Sequence, residues 1–294
     1  MKIGISILCI ALLACSSAGY VNIQNLGSGV RSLGLGNSLV AVADNSDAVF
    51  INPAGLGQLM RRQVTYTPGG VPEVHDDLGR YMVSFGMPLN SKLGLGLGYE
   101  RIGSSQLSEN GAFVSLSYQA LSGLYMGLSA KYLFSIWSRL DQFYAGGREG
   151  VVGIDVGLLW QSPFSGAQLG LFLRNANQPS TGESGALTLP TDLHVGAGYR
   201  VGTHVLLSVQ YVRRDVTKVF FTTYRRWMAG VEVDFLEELV LRVGRLERLE
   251  VGGVSLSMGL GYRLEYREMG LLLDYAYRES GSLPSHRFSF ACEF

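Results

Sequence analysis

The chain has 294 residues, 24 of them basic and 24 acidic, for a formal net charge of zero. That balance excludes the basic surface a nucleic-acid binder needs, so nucleic acid is not an expected partner. Only 16% of residues are charged, whereas 39 are glycine and 15 tyrosine. A glycine share about twice the roughly 7% usual in soluble proteins fits a long-stranded β-protein facing an apolar medium, and fits a helical enzyme poorly.

Residues 1–18 read as a signal peptide. Lys2 supplies a positive start, residues 3–14 are apolar, and Ser16-Ser17-Ala18 places small residues before a cut after Ala18. Leu12-Leu13-Ala14-Cys15 also resembles a lipoprotein processing box, the alternative being a lipid on Cys15. Cleavage after Ala18 leaves Cys292 alone in the mature chain, which rules out an internal disulfide and a cysteine metal cluster. Past the leader, no apolar run approaches the ~20 residues of a membrane-spanning helix. Passage through lipid would therefore require a closed β-barrel, in which every backbone polar group is paired.

Residues 19–60 form an N-terminal periplasmic or hatch segment. Gly34 and Gly36 superficially imitate a nucleotide-binding loop, but no strand precedes them and no βαβ unit surrounds them. Asn52-Pro53-Ala54-Gly55 is a turn signal, and Pro53 cannot continue a ladder. The expectation is a compact, weakly helical segment in the periplasmic mouth of a barrel formed by residues 61–294.

From residue 62 the hydropathy period is two, so each strand has an apolar face and a small or polar face. The clearest case has Leu256, Met258, Leu260, Tyr262, Leu264 and Tyr266 on one face, with Ser255, Ser257, Gly259, Gly261, Arg263 and Glu265 on the other. The alternation predicts strands at 62–68, 80–88, 91–101, 111–121, 123–136, 150–162, 165–175, 189–201, 203–214, 225–235, 238–246, 251–266, 267–279 and 285–294. The fold class is an all-β transmembrane antiparallel barrel of about 14 strands with a short N-terminal plug. These strands exceed the ~5–6 residues common in soluble sheets, and their apolar faces often end in Tyr, Trp or Phe, as an interfacial girdle requires. Every second connection is tight (Leu89-Asn90, Ser122, Pro163-Phe164, Gly202, Glu237), while 138–149, 176–188 and 215–224 are longer. Short periplasmic turns and longer outer loops are the pattern of bacterial barrels, which puts both termini in the periplasm of an outer-membrane protein. Phe290 and Phe294 form a terminal aromatic pattern resembling the signal read by the barrel-assembly machinery.

The inward faces are expected to carry Glu100, Lys131, Asp155, Arg174, Arg200, Glu232, Asp234, Arg242, Arg263, Glu265, Asp274, Arg278 and Arg287. Their mixed signs argue for mutual pairing in a hydrated or partly plugged lumen rather than an ion filter with a ring of one sign.

The run LGLGNSLVAVADNSDAVFINPAGL (33–56) resembles the N-terminal signature of the PorV/PorQ-like outer-membrane family, itself related to FadL-like fatty-acid transporters. The tail LLLDYAYRESGSLPSHRFSFACEF (271–294) resembles that family's C-terminal strands. The resemblance implies a fourteen-stranded barrel with an N-terminal hatch containing Asn52, Pro53, Ala54 and Gly55. It first implies a non-enzymatic accessory of type IX-like secretion, with secreted cargo proteins and surface attachment components as partners and the 138–149 and 176–188 loops as docking surfaces. The alternative is a FadL-like passive channel for a hydrophobic ligand, for which Phe50, Leu56, Tyr125, Phe172 and Leu206 are candidate lining residues, packing between hatch and wall being the plainer role. A third is a structural wall protein with no cargo. His75, His194, His204 and His286 are scattered without metal spacing, and no nucleophile motif occurs, so neither a catalytic site nor a cofactor is expected. Membrane lipid is the remaining expected partner.

Overall fold

A computed structural model describes residues 29–69, 79–104, 107–138, 147–163, 166–181, 187–215, 223–250, 252–279 and 285–294. The expected signal peptide and Cys15 lie outside these residues, as do 139–146, 182–186 and 216–222 of the three longer connections named above.

Fourteen antiparallel strands close into one barrel. In chain order they begin with β1 (Gln63–Thr67), β2 (Gly79–Pro88), β3 (Leu93–Gly103), β4 (Leu107–Leu121), β5 (Leu124–Trp137), β6 (Gly147–Gln161) and β7 (Ala167–Arg174). A small separate hairpin, β8 (Ser180–Thr181) with β9 (Leu187–Thr188), interrupts the wall. The wall resumes with β10 (Thr191–Val201), β11 (Val205–Asp215), β12 (Thr223–Asp234), β13 (Leu239–Arg248), β14 (Gly253–Tyr266), β15 (Met269–Arg278) and β16 (Ser285–Glu293). β10 pairs with β7 past the hairpin, and β1 pairs with β16 to close the seam, Gln63 opposite Glu293 and Tyr66 opposite Phe290. Arg62 and Phe294 exchange two backbone hydrogen bonds of 3.2 and 2.9 Å, so the final aromatic residue belongs to the seam. Closure leaves no unpaired strand edge, as a sheet in lipid requires.

The strand count agrees with the hydropathy alternation, and several boundaries differ in one direction. β4 begins at Leu107 and β6 at Gly147, a few residues before the apolar pattern starts, while β13 runs on to Arg248. These ends carry Ser108, Glu109, Arg148 and Glu149. The wall continues past the apolar band there, and hydropathy has nothing left to register.

One end of the barrel carries the start of β1, the end of β16 and the tight turns, and is called the terminal end below; the opposite, loop end carries the longer connections. In the β2–β3 turn the Asn90 carboxamide oxygen accepts from the backbone nitrogens of Lys92 and Leu93, each at 2.9 Å, an Asx turn that suits so tight a reversal. On the exterior, Leu256, Met258, Leu260, Tyr262, Leu264 and Tyr266 are all exposed, while Ser255 and Ser257 behind them are buried. Among the described residues no helix is long and apolar enough to cross a membrane.

The interior is filled. Helix α1 (Val30–Gly34), helix α2 (Ala48–Ile51) and a 3-10 turn (Pro53–Gln58) form a plug with the extended chain between them. α1 lies against β13, β14, β15 and β16, and the 3-10 turn against β2 to β6. The plug crosses the interior because its own apolar residues need the wall: Leu35, Val40, Val42 and Leu56 are wholly buried, and side chains of this size contribute ~1.5–3 kcal/mol each when removed from water.

Inward glycines make room for it. A Cβ at Gly127 would stand 2.1 Å from the backbone nitrogen of Ala54, and one at Gly244 only 2.0 Å from that of Gly36. Gly127→Val and Gly244→Val are each expected to displace the plug at a cost of ~1–3 kcal/mol. Amide exchange should speed up by roughly ten- to a hundredfold around residues 52–56 for the first variant and 34–38 for the second. Met258→Val on the exterior should change neither.

Candidate functional site

The plug and the wall behind it make up the candidate site. Most of the plug backbone is irregular, so its polar groups need partners outside regular structure. Inward wall side chains supply them. Gly36 N–H donates to Ser257 Oγ at 3.1 Å and Val40 N–H to Gln210 Oε1 at 2.9 Å, and the Ser117 hydroxyl donates to the Ala54 carbonyl at 2.8 Å. Ser46 meets both Thr65 and Ser84 through hydroxyl contacts of 2.8 and 2.9 Å, and the Ser38 and Ser208 hydroxyls are 2.6 Å apart.

Each residue of the Asn52-Pro53-Ala54-Gly55 motif has a distinct task. Asn52 Oδ1 accepts from Ala54 N–H at 3.2 Å and caps the 3-10 turn. Its Nδ2 donates to the Val40 carbonyl at 2.8 Å within the plug and to the Leu158 carbonyl at 3.2 Å on β6. Pro53 occupies the first position of the turn, where its missing N–H costs nothing. Ala54 packs with Tyr125 and Leu159. Gly55 faces Ala43, whose carbonyl oxygen would lie 1.8 Å from any Cβ there.

A chain of ion pairs ties plug to wall. Arg31 in α1 donates through Nε and Nη2 to the two carboxylate oxygens of Glu232 on β12, each at 2.8 Å, and through Nη1 to Asp44 in the plug. Asp44 also accepts from Arg200 on β10 at 3.2 Å. Glu232 accepts from Arg242 on β13 at 2.7 Å, and Arg242 continues to Asp274 on β15. The five side chains from Asp44 through Arg31, Glu232 and Arg242 to Asp274 link two plug positions to three strands.

The other inward charges mostly pair locally. Lys131 on β5 holds both oxygens of Asp155 on β6 at 2.7 and 2.8 Å, and Arg174 lies 3.7 Å from Asp192. Arg80 meets Glu100 at 3.1 Å and Arg263 meets Asp234 at 3.1 Å. Arg278 and Arg287 are buried on the loop side of the plug. Arg263 is 43% exposed and Glu265 is exposed. Glu265 was expected to face the lumen, but it lies opposite Gly270 beside the β14–β15 turn, where the enclosure ends. Phe290 and Phe294 sit on the exterior, about half exposed.

Phe50, Leu56, Tyr125, Phe172 and Leu206 are all buried, Phe50 edge-on to Phe113 with ring centroids 5.1 Å apart. Leu56, Tyr125 and Leu206 belong to clusters between plug and wall, Phe50 to the cluster that includes Phe113, and Phe172 packs on His194 with ring centroids 5.3 Å apart. Sequence reading overlooked Arg31, Asp44 and Asp47 in the plug, and Arg80, Asp192 and Arg214 in the wall. The wall residues were legible in principle: Asp192 shares the inward parity of Gly196 and Gly198.

The fold of this closed barrel is shared with solved hydrocarbon transporters and a FadL homologue. The toluene transporter TbuX of Ralstonia pickettii superposes with a TM-score of 0.69 at 14% identity, covering 92% of this chain and 98% of that one. The Pseudomonas putida toluene transporter TodX gives 0.63 at 14% identity, covering 91% and 97%. A Pseudomonas aeruginosa FadL homologue gives 0.58 at 10% identity, covering 91% and 98%. No family model matches the sequence, and no curated protein matches it. The FadL-like side of the expected resemblance is supported at the level of fold, and the PorV/PorQ side gains no support from these structures.

Glu232→Leu would remove the carboxylate that Arg31 and Arg242 share, leaving Arg31 with Asp44 and Arg242 with Asp274. Losing a hydrogen bond to a charged group costs ~1.5–3 kcal/mol, so amide protection across residues 30–34 should fall while the barrel itself stays folded. A second expectation concerns Asp47, which accepts from the Ser84 hydroxyl at 2.7 Å. Burial pushes its carboxyl from 3.8 up to about 6, with Ser84 pulling the other way. A folded pKa above the unfolded one means the plug takes up a proton on folding between these values. Its contribution to stability is complete below about pH 4 and is lost as pH rises through about 6, an effect of ~2–3 kcal/mol. Amide exchange of residues 44–51 followed from pH 4 to 8 should show this loss in the wild type, and Asp47→Asn should flatten it.

Proposed function

We propose that this chain is a passive, non-enzymatic outer-membrane channel for hydrophobic small molecules, closed by its plug in the present conformation. The observation that carries the reading is the non-covalent plug seated across a barrel whose fold is shared with monoaromatic hydrocarbon channels. A second feature favours an apolar cargo. On the loop side of the plug, Val49 and Phe50 meet Met82, Phe113, Leu133, Val151 and Leu189 in one apolar cluster, and Val212, Met228 and Leu246 form a second on the wall. A hydrophobic molecule arriving from the loop end would exchange one apolar contact for another there, and loosening of the plug would let it pass.

The contrast between tight turns at the terminal end and longer connections at the other supports the orientation expected from the sequence, with termini in the periplasm and loops outside. The apolar exterior and closed hydrogen-bonding ladder support residence in lipid. The secretion reading, which stood first on sequence resemblance, yields to the channel reading because the structural likeness falls to hydrocarbon transporters.

Locking the plug tests the proposal. The Ser38 and Ser208 hydroxyl oxygens are 2.6 Å apart, one on the plug and one on β11, close enough for a disulfide after Ser38→Cys with Ser208→Cys. In a Gram-negative host lacking its own hydrocarbon channels, the wild type should raise uptake of labelled toluene above background. The oxidised double variant should return uptake to background, and a reductant should restore it. Uptake at background with the wild type, or uptake indifferent to the lock, would reject the reading.

A further inference from the structure

Directly on the loop side of the plug, three buried arginines stand near one another, and only Arg80 is bonded to a carboxylate, Glu100. Arg278 closes β15, Arg287 is the third residue of β16, and Arg80 is the second of β2. In the β15–β16 register Arg278 lies opposite Ser285 and Arg287 opposite Ala276, making the two arginines diagonal neighbours on the inner face. Arg80 stands across the seam, near enough that its charge acts on both. All three are buried, with 9%, 8% and 3% of Arg278, Arg287 and Arg80 exposed.

Arg80 donates to Glu100 at 3.1 Å. Among the described residues neither Arg278 nor Arg287 forms an ion pair, and Arg278 Nε is buried without a hydrogen-bond partner. Elsewhere in the same lumen buried arginines find carboxylates: Arg31 and Arg242 with Glu232, Arg214 with Asp192. A buried guanidinium keeps its charge, and confined like charges with an unfilled donor require a counter-charge to be tolerated. The floor of the cluster is the plug itself, since Val30 and Leu33 of α1 pack on Ala276, the residue opposite Arg287. One wall borders the apolar cluster, because Met82 shares the inner face of β2 with Arg80.

We propose that Arg278 and Arg287, backed by Arg80, form a binding site for an oxyanion on the loop side of the plug. Planar guanidinium forks fit a carboxylate or a phosphate through paired hydrogen bonds, a match that neither chloride nor a neutral hydrocarbon offers. The oxyanion arrives either as a free small ion or as the acidic head of an amphiphile whose apolar part lies along Met82 and Phe113. In both cases it bridges wall arginines directly over α1 and steadies the plug from above.

Calorimetric titration of the full-length protein in a non-ionic detergent at low salt tests this, with inorganic phosphate, benzoate and neutral toluene as probes. Saturable binding of phosphate or benzoate is expected, weakened roughly tenfold or more by Arg278→Gln or Arg287→Gln. Arg287→Lys should retain part of it, and Arg245→Gln on the exterior all of it. Similar affinities for the two anions identify a free oxyanion, whereas much tighter benzoate binding identifies the head of an amphiphile. Absence of saturable binding of either anion to the wild type, or binding indifferent to both glutamine variants, overturns the proposal. If a glutamine variant fails to fold, amide exchange of residues 30–34 in the wild type decides: it should slow on adding the bound anion, and unchanged exchange counts against the site. Binding is read without transport, so failure of toluene uptake leaves this site standing, and absence of anion binding leaves the channel reading standing.

Discussion

A backbone laid inside a closed barrel competes for space with every side chain that points inward. In this protein the competition is resolved by omission. Where the plug comes closest, at Gly127, Gly170 and Gly244, the wall has no side chain at all, and a Cβ would sit 2.1 to 2.3 Å from plug backbone at the first two and 2.0 Å at the third. Much of the remaining structure follows from that close approach. Only at such distances can Ser117, Ser257 and Gln210 reach plug amides and carbonyls and replace the partners that a helix or sheet would have supplied. Protein interiors are packed like crystals, so a plug seated against glycine cannot drift without opening voids or losing these bonds.

Electrostatics serve a different purpose. Apolar burial gives the plug its affinity for the interior, but apolar contact has little directional preference. The chain from Asp44 to Asp274 fixes orientation, because the Arg31 guanidinium meets Glu232 through two parallel hydrogen bonds of 2.8 Å and such a fork tolerates little rotation. Asn52 does the same at the other end, joining Val40 to Leu158 through a single carboxamide. Charged groups of this kind are expensive to desolvate, and their yield in stability over an apolar replacement is small. Their value lies in selecting one seating of the plug among many apolar ones, and in contacts that can break together.

The distribution of charge then divides the lumen. Around the plug, carboxylates and guanidiniums are matched. Over α1 they are not, and Arg278 and Arg287 lie next to an apolar cluster centred on Phe50 and Phe113. The apolar cluster and the unmatched arginines are therefore adjacent on the same face of the plug, so the proposed hydrocarbon route and the proposed oxyanion site both border the element that crosses the barrel.

What the sequence determined alone is the wall. A strand has a period of two, and contact with an apolar surround on one side and a small or polar interior on the other imprints that period at every rung from Leu256 to Tyr266. Strand number, facing and the contrast in connection length were all legible for this reason, although the polar ends at Leu107 and Gly147 were not, since hydropathy falls silent past the apolar band. The Asn52-Pro53-Ala54-Gly55 turn was legible as a turn. Its bonds to Val40 and Leu158, the depth of the plug, and the link from Arg31 to Glu232 across 201 residues were decided only by the tertiary structure. Those contacts join segments whose separation along the chain bears no fixed relation to their distance in space. Which inward glycine faces backbone and which arginine lacks a carboxylate depend on how the plug is seated, a matter no local pattern encodes.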